Sequence, residues 1–98
     1  MTRPGRLSSA EADSRLSALA GWTRRGETLH RTFTFRDFSE AFAFMARVAL
    51  EAEKLGHHPD WSNAWNRVAV DLTTHDAGGL TELDFRLAAE MNRVAGDR

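Results

Sequence analysis

The chain has 98 residues, 42% of them apolar, a formal net charge of −1 and no cysteine. That length suits one domain with a real core. The near-neutral charge offers no broad attraction to nucleic acid or an anionic membrane, and the missing thiols exclude disulfides, thiolate metal sites and cysteine nucleophiles.

Residues 1–7 read as a loose lead-in. Met1-Thr2-Arg3-Pro4-Gly5-Arg6 lacks the apolar segment of a signal peptide. The longest apolar run, Ala41-Phe42-Ala43-Phe44-Met45-Ala46, is far shorter than the roughly 20 residues a bilayer needs. A cytoplasmic protein is expected.

Ser8-Ser9-Ala10-Glu11 matches a capping box, and Ala12, Leu16, Leu19 and Ala20 follow at helical spacing. Gly21 is the expected stop of this first helix. Leu29, Phe33 and Phe35 then alternate with Thr28, His30, Thr32 and Thr34. A period of two, rich in Thr and Phe, predicts a half-buried strand with His30 on its polar face. Trp22–Arg25 is the expected hairpin partner, turning near Gly26.

Asp37-Phe38-Ser39-Glu40 carries capping chemistry again. The apolar stripe of the second helix runs through Phe38, Ala41, Phe42, Met45, Val48, Ala49, Ala52 and Leu55, with Phe44 at its edge. Such a stripe suits a core helix, and its flank suits a second subunit. Gly56 ends the helix and Pro59 bars its resumption. Trp61–Trp65 and Val68–Thr74 predict two strands joined by a turn at Asn66-Arg67. Trp61 and Trp65 would then share a face with Val68, Val70 and Leu72. Thr81-Glu82-Leu83-Asp84 is a third capping box. Its helix is expected to bury Leu80, Leu83, Leu87, Met91 and Val94, to pair Glu82 with Arg86, and to fray from Gly96. Two hairpins favour an antiparallel sheet with helices over one face.

Three of the four histidines, His57, His58 and His75, lie in the stretch 53–84. Imidazole gives and takes protons near neutral pH. The second hairpin leads away from His57-His58 and returns at His75, so the three rings can meet. Glu53, Asp60, Asp76 and Asp84 bracket them and can orient imidazoles. The plainest alternative is three turn residues with no shared task. A three-histidine zinc site is a weaker rival, because adjacent histidines rarely both reach one metal and no HExxH helix is present. Gly78-Gly79 fits no phosphate-loop pattern, and no serine has a nucleophile-elbow context.

Glu53, then His57-His58-Pro59-Asp60-Trp61, an aromatic at Trp65, and Thr74-His75-Asp76-Ala77-Gly78-Gly79-Leu80-Thr81 with Asp84 together resemble the pterin-4a-carbinolamine dehydratases. The likeness extends upstream through Leu19-Ala20-Gly21-Trp22, Phe33-Thr34-Phe35 and Phe42-Ala43-Phe44-Met45. It implies a single α+β domain: a four-stranded antiparallel sheet with three helices packed on one face, in the order α-β-β-α-β-β-α. It implies dehydration of 4a-hydroxytetrahydropterin to quinonoid dihydropterin, within tetrahydropterin recycling, with no metal or organic cofactor. By this resemblance His57 and His75 are the acid–base pair and His58 mainly holds the substrate. Pro59, Trp61, Thr74, Asp76 and Ala77 would line or bind the pterin, with Glu53 and Asp84 orienting the imidazoles. The family further implies a homodimer or homotetramer and an aromatic amino acid hydroxylase as partner. Some members also serve as dimerisation partners of a transcription factor or modulators of a hydroxylase. A non-catalytic binding module is therefore the second reading. Ser62 and Trp65 depart from the aromatic and tyrosine common at those positions.

Overall fold

The structure, a computed structural model, describes residues 4–96. The outermost residues expected to be loose, 1–3 and 97–98, lie outside the described residues. The elements are α1 (Ser9–Leu16), β1 (Thr23–Arg25), β2 (Thr28–Thr34), α2 (Phe38–Leu55), β3 (Asp60–Ala64), β4 (Arg67–Leu72) and α3 (Glu82–Ala95). The strands form one antiparallel sheet in the order β1-β2-β4-β3. The expected α+β order and four-stranded sheet are therefore present. None of the helices among the described residues is long and apolar enough to cross a membrane.

The alternation in β2 and β4 decides which face is covered. Leu29, Phe33, Val68, Val70 and Leu72 point to the helices and are fully buried, each stabilising the fold by roughly 1.5–3 kcal/mol. His30 lies on the opposite, open face, where its Nδ1 meets Asp71 Oδ1 at 2.9 Å. Arg31 is on the inward side but stays at the edge of the core. Its guanidinium lies 4.2 Å over the Phe33 ring, and it donates to Asn92 Oδ1 at 2.6 Å.

All three helices start where their caps predict. Ser8 and Glu11 complete the first capping box, Asp37 accepts from the Glu40 N–H, and Thr81 with Asp84 complete the last. α1 is shorter than expected: it ends at Leu16, and turns carry the chain on to Gly21. The lead-in is tied down at two points, by the Leu7 N–H to the Leu80 carbonyl at 2.8 Å and by Arg6 to Glu27 at 2.9 Å. The Glu82–Arg86 pair is not among the ion pairs formed by the described residues.

Two expectations about packing are corrected. Phe44 is not at the edge of the α2 stripe but central to it, with its ring 4.8 Å from Phe33 and 4.9 Å from Phe35. Phe38 and Phe42, expected inside, are 50% and 57% exposed. The aromatic end of β2 draws in the side of α2 that carries Ala41, Phe44, Val48 and Ala52, and so rolls Phe38 and Phe42 outward. The second hairpin turns at Trp65-Asn66, one residue earlier than expected, since Ala64 pairs with Arg67. Asn66 fixes this turn: its backbone carbonyl accepts from the Phe35 N–H at 2.8 Å and its side chain donates to the Phe35 carbonyl at 2.9 Å. Trp65 is left at the tip, exposed and at φ 50°, a conformation that costs a non-glycine residue about 1 kcal/mol.

This packing predicts that Phe44→Ala lowers unfolding free energy by about 3–5 kcal/mol, whereas Leu50→Ala, on the exposed side of the same helix, changes it by less than about 0.5 kcal/mol. Urea denaturation of the two variants checks this, and a loss under about 1 kcal/mol for Phe44→Ala would contradict the assigned helix face.

Candidate active site

The site forms where three chain breaks meet. At the end of α2, Gly56 adopts φ 63° and ψ 32°. In that left-handed cap the His57 N–H returns to the Ala52 carbonyl at 3.1 Å, as in a Schellman closure. The turn folds His57 back under the helix end, and Pro59 then directs the chain into β3. At the end of β4, Thr74 and Gly79 face each other as an isolated bridge. A short 3-10 turn, His75–Ala77, projects from that neck. The N-terminus of α3 closes the third side and brings Asp84 with it.

Each histidine of the cluster has its own carboxylate. His57 Nε2 lies 2.6 Å from Asp84 Oδ1, with the two side chains 6% and 0% exposed. His58 Nε2 lies 2.6 Å from Glu53 Oε1, both in solvent. His75 Nε2 lies 3.8 Å from Asp60 Oδ2, also in solvent. The first pair is rigid and dry. The other two are surface pairs of the kind worth at most about 1 kcal/mol, so they bias orientation without locking it.

Donor inventory settles how the buried pair is wired. Asp84 Oδ2 accepts from the Thr81 N–H at 2.9 Å and from the Thr74 hydroxyl at 2.8 Å. Thr74 Oγ1 is also 2.9 Å from Thr81 Oγ1, which itself accepts from the Leu83 N–H. With both threonines so committed, Asp84 Oδ2 is an acceptor twice over, as suits a carboxylate in the first turn of a helix. With Asp84 as a carboxylate, the bond to Oδ1 takes the proton on His57 Nε2. Its Nδ1 has no hydrogen-bond partner, yet no buried side-chain N or O atom of the described residues is left unpartnered. Nδ1 thus keeps some access to solvent.

Gly56, His57, His58, Pro59, Asp60, Thr73, His75 and Asp76 line one open cleft of about 300 Å³. That is the lower end of the range for small-molecule sites. The cleft unites the three predicted histidines with Pro59 and Asp76. Thr74 and Asp84 stand behind it, and Glu53 stands beside His58. Trp61 is not in the lining: its pairing with Val70 turns it toward the helix side, where it packs against the core. Ala77 is half-buried and outside the lining as well. Thr73 and Asp60 were not assigned to the site from sequence. Asp60 carried a signal, since it directly follows Pro59 and was already among the bracketing carboxylates. A larger concavity, about 400 Å³, lies between α2 and α3 and is lined by Glu51, Lys54, Leu55, Arg86, Ala89 and Glu90. It contains no histidine. Among the described residues no group of three or more His, Asp or Glu side chains is disposed to hold one metal ion.

The fold and site define an α+β domain whose helix-backed antiparallel sheet carries a histidine-lined cleft at its strand ends. Residues 5–94 match the family model described as pterin 4 alpha carbinolamine dehydratase. The chain belongs to that family. A Nitrobacter winogradskyi relative that bears the family's dehydratase name provisionally is 55% identical over 92 residues, which is 92% of this chain and 91% of the relative. A Brucella ovis relative, named in the same provisional way, is 53% identical over 93% of this chain and 96% of its own. Among solved structures, one described as a transcriptional coactivator/pterin dehydratase from Brucella melitensis superposes with a TM-score of 0.91 at 52% identity, covering 94% of this chain and all of that one. A pterin dehydratase-like protein identified as a RuBisCO assembly factor of the alpha-carboxysome superposes with a TM-score of 0.67 at 25% identity, over 80% of this chain and 93% of its own.

The wiring of the buried pair predicts that imidazole ¹⁵N spectra show His57 in the Nε2–H form at neutral pH. Asp84→Asn is expected to move that ring's signals and to lower stability by about 3 kcal/mol, since it breaks a buried, fully hydrogen-bonded pair. An Nδ1–H tautomer in the unaltered protein would overturn the assignment.

Proposed function

We propose that this chain dehydrates 4a-hydroxytetrahydropterins to quinonoid dihydropterins by histidine acid–base catalysis. The observation that carries this reading is the single cleft lined by His57, His58 and His75, each beside its own carboxylate. Loss of the 4a-hydroxyl needs a proton on the departing oxygen while a ring-nitrogen lone pair pushes into the C4a position. The ring nitrogen then gives up its proton, so the products are water and the quinonoid pterin with no net proton consumed. Positioned imidazoles suit both transfers at neutral pH.

In this reading His57 and His75 handle the two protons. His57 is the fixed partner, its Nδ1 lone pair aimed by the hydrogen bond from Nε2 to Asp84. His75, on its projecting turn, is the adjustable one. His58, held by Glu53, grips the pterin. Pro59 stiffens the wall, and Asp76 offers its carboxylate to the flat amide edge of the ring. Thr74 and Asp84 orient from behind. Trp61 and Ala77 contribute shape at most, given where they sit. The reaction requires no metal or organic cofactor.

A second reading has its own support. Phe38 and Phe42 stand exposed on one side of α2, with their rings 5.9 Å apart. One solved relative carries the coactivator description and another an assembly role. An apolar helix face of this kind suits self-association into a homodimer or homotetramer, or docking of a partner protein such as a hydroxylase.

The test is loss of an enzymatically generated 4a-carbinolamine. His75→Ala is expected to lower kcat roughly 100-fold or more, and His58→Ala to act mainly through KM. Unaltered turnover in both variants would remove the histidine mechanism. An inactive parent protein that still captures a hydroxylase would favour the binding module. Chelator treatment is expected to leave turnover unchanged, and a chelator-sensitive rate would favour a metal site instead.

A further inference from the structure

The loop that carries His75 and Asp76 into the cleft is closed at its neck by the Thr74–Gly79 bridge, with N–H to carbonyl distances of 3.2 and 3.3 Å. One residue beyond that bridge, on each side, the chain is held by the same residue of the β1–β2 turn. The Thr73 hydroxyl donates to the Glu27 carbonyl at 2.6 Å, and the Leu80 N–H donates to Glu27 Oε1 at 3.0 Å. The other carboxylate oxygen, Oε2, takes Arg6 at 2.9 Å and Arg24 at 3.5 Å. The Leu80 carbonyl in turn accepts from the Leu7 N–H.

Gly79 fits this grip. A Cβ built on it would stand 2.3 Å from Glu27 Oε1 and 2.8 Å from Arg6 Nε. Gly79 is not in the left-handed region, unlike Gly78 at φ 75°. Backbone freedom therefore does not account for a glycine there, whereas the space taken by the Glu27 carboxylate does. Glu27 is remote in sequence from every cleft residue and lines none of the cleft, but it bonds directly to Thr73, which does.

We propose that Glu27 is a positioning residue for the dehydration, a clamp that sets the pose of the 73–80 loop, and with it His75 and Asp76, through a contact that a side chain at position 79 would displace. This rests on the dehydratase reading for its effect on rate, but not for its effect on the loop. The hydrogen bond from Arg6, and next the Leu80 N–H, hold the Glu27 carboxyl below the usual glutamate range. Its folded value is thus depressed. The contribution is complete above the unfolded value of about 4.3 and is lost as pH falls through the folded one, so the clamp is ionised and intact at neutral pH.

The experiment combines carbinolamine turnover with imidazole NMR on Glu27→Ala, Glu27→Gln, Gly79→Ala and the Glu27→Ala/Gly79→Ala double variant. Glu27→Ala is expected to lower kcat roughly ten- to hundredfold and to move the His75 ring signals while those of His57 stay in place. Glu27→Gln keeps an oxygen for the Leu80 N–H and is expected to recover part of the rate. It also serves as the reporter if the alanine variant does not fold. Gly79→Ala is expected to be harmful alone and to add little in the Glu27→Ala background, where the carboxylate is gone and Arg6, no longer held by it, can move aside. Unmoved His75 signals in the Glu27 variants, or equal harm from Gly79→Ala in both backgrounds, would overturn the clamp. A parent protein without turnover would defeat the dehydratase reading alone, and the His75 signals would still decide the clamp.

Discussion

One short hydrogen bond, His57 Nε2 to Asp84 Oδ1 at 2.6 Å, ties together three of the elements that build the cleft. His57 belongs to the closure of α2, Asp84 to the capping box of α3, and Thr74, which donates to the same carboxylate, to the end of β4. The helix ends suit it electrostatically: the last carbonyls of α2 and the first N–H groups of α3 present partial charges of opposite sign. A buried ionic pair is weak evidence of net stability, because desolvation offsets much of the attraction. Here its clearer consequence is orientation. It fixes one imidazole in one tautomer, and it does so with atoms that also cap a helix.

The rest of the cleft is graded from that fixed point outward. His58 and His75 are 62% and 85% exposed, against 6% for His57. The flat bicyclic substrate proposed for this cleft would have to enter and leave, so some of the wall has to be open. A dry, preorganised group beside adjustable ones reconciles that need with the requirement that a proton-transfer partner be held at a defined place. Pro59 and the bridged neck at Thr74–Gly79 limit how far the adjustable side can wander.

Much of this architecture was readable in the sequence because its signals are local. The three capping patterns, the alternation through Thr28–Phe35 and the helix stop at Gly56 each depend on residues within a few positions of one another. The histidine cluster was also readable, since a hairpin between His58 and His75 has to bring its ends together. What could not be read was set by distant partners. Phe44 was placed at the stripe's edge because its inward position is chosen by Phe33 and Phe35. The turn at Trp65-Asn66 was shifted by one residue because Asn66 bonds to Phe35, across 31 positions. Trp61 looked like a cleft residue by proximity in sequence, but β pairing with Val70 turned it to the other side. Glu27 had little local signal, since apart from Arg24 its partners are Arg6, Thr73 and Leu80.

The two proposed roles, dehydration and partner binding, need not compete in this chain, and the reason lies in α2. Its 18 residues span about 27 Å at 1.5 Å per residue. The exposed Phe38 and Phe42 occupy its first turns, whereas Glu53, Gly56 and His57 complete the cleft at its other end. Phe42 and Leu55 are thirteen positions apart on the helix, which is about 20 Å. Val48 and Ala52 anchor the intervening turns in the core, so the helix is a stiff strut rather than a hinge. A partner seated on the aromatic end would leave the histidine-lined end open to solvent. It would affect the cleft only by shifting the whole helix against the sheet, and the Phe33–Phe44 and Phe35–Phe44 contacts resist that shift. Within one small fold, the two ends of one helix can therefore carry separate tasks.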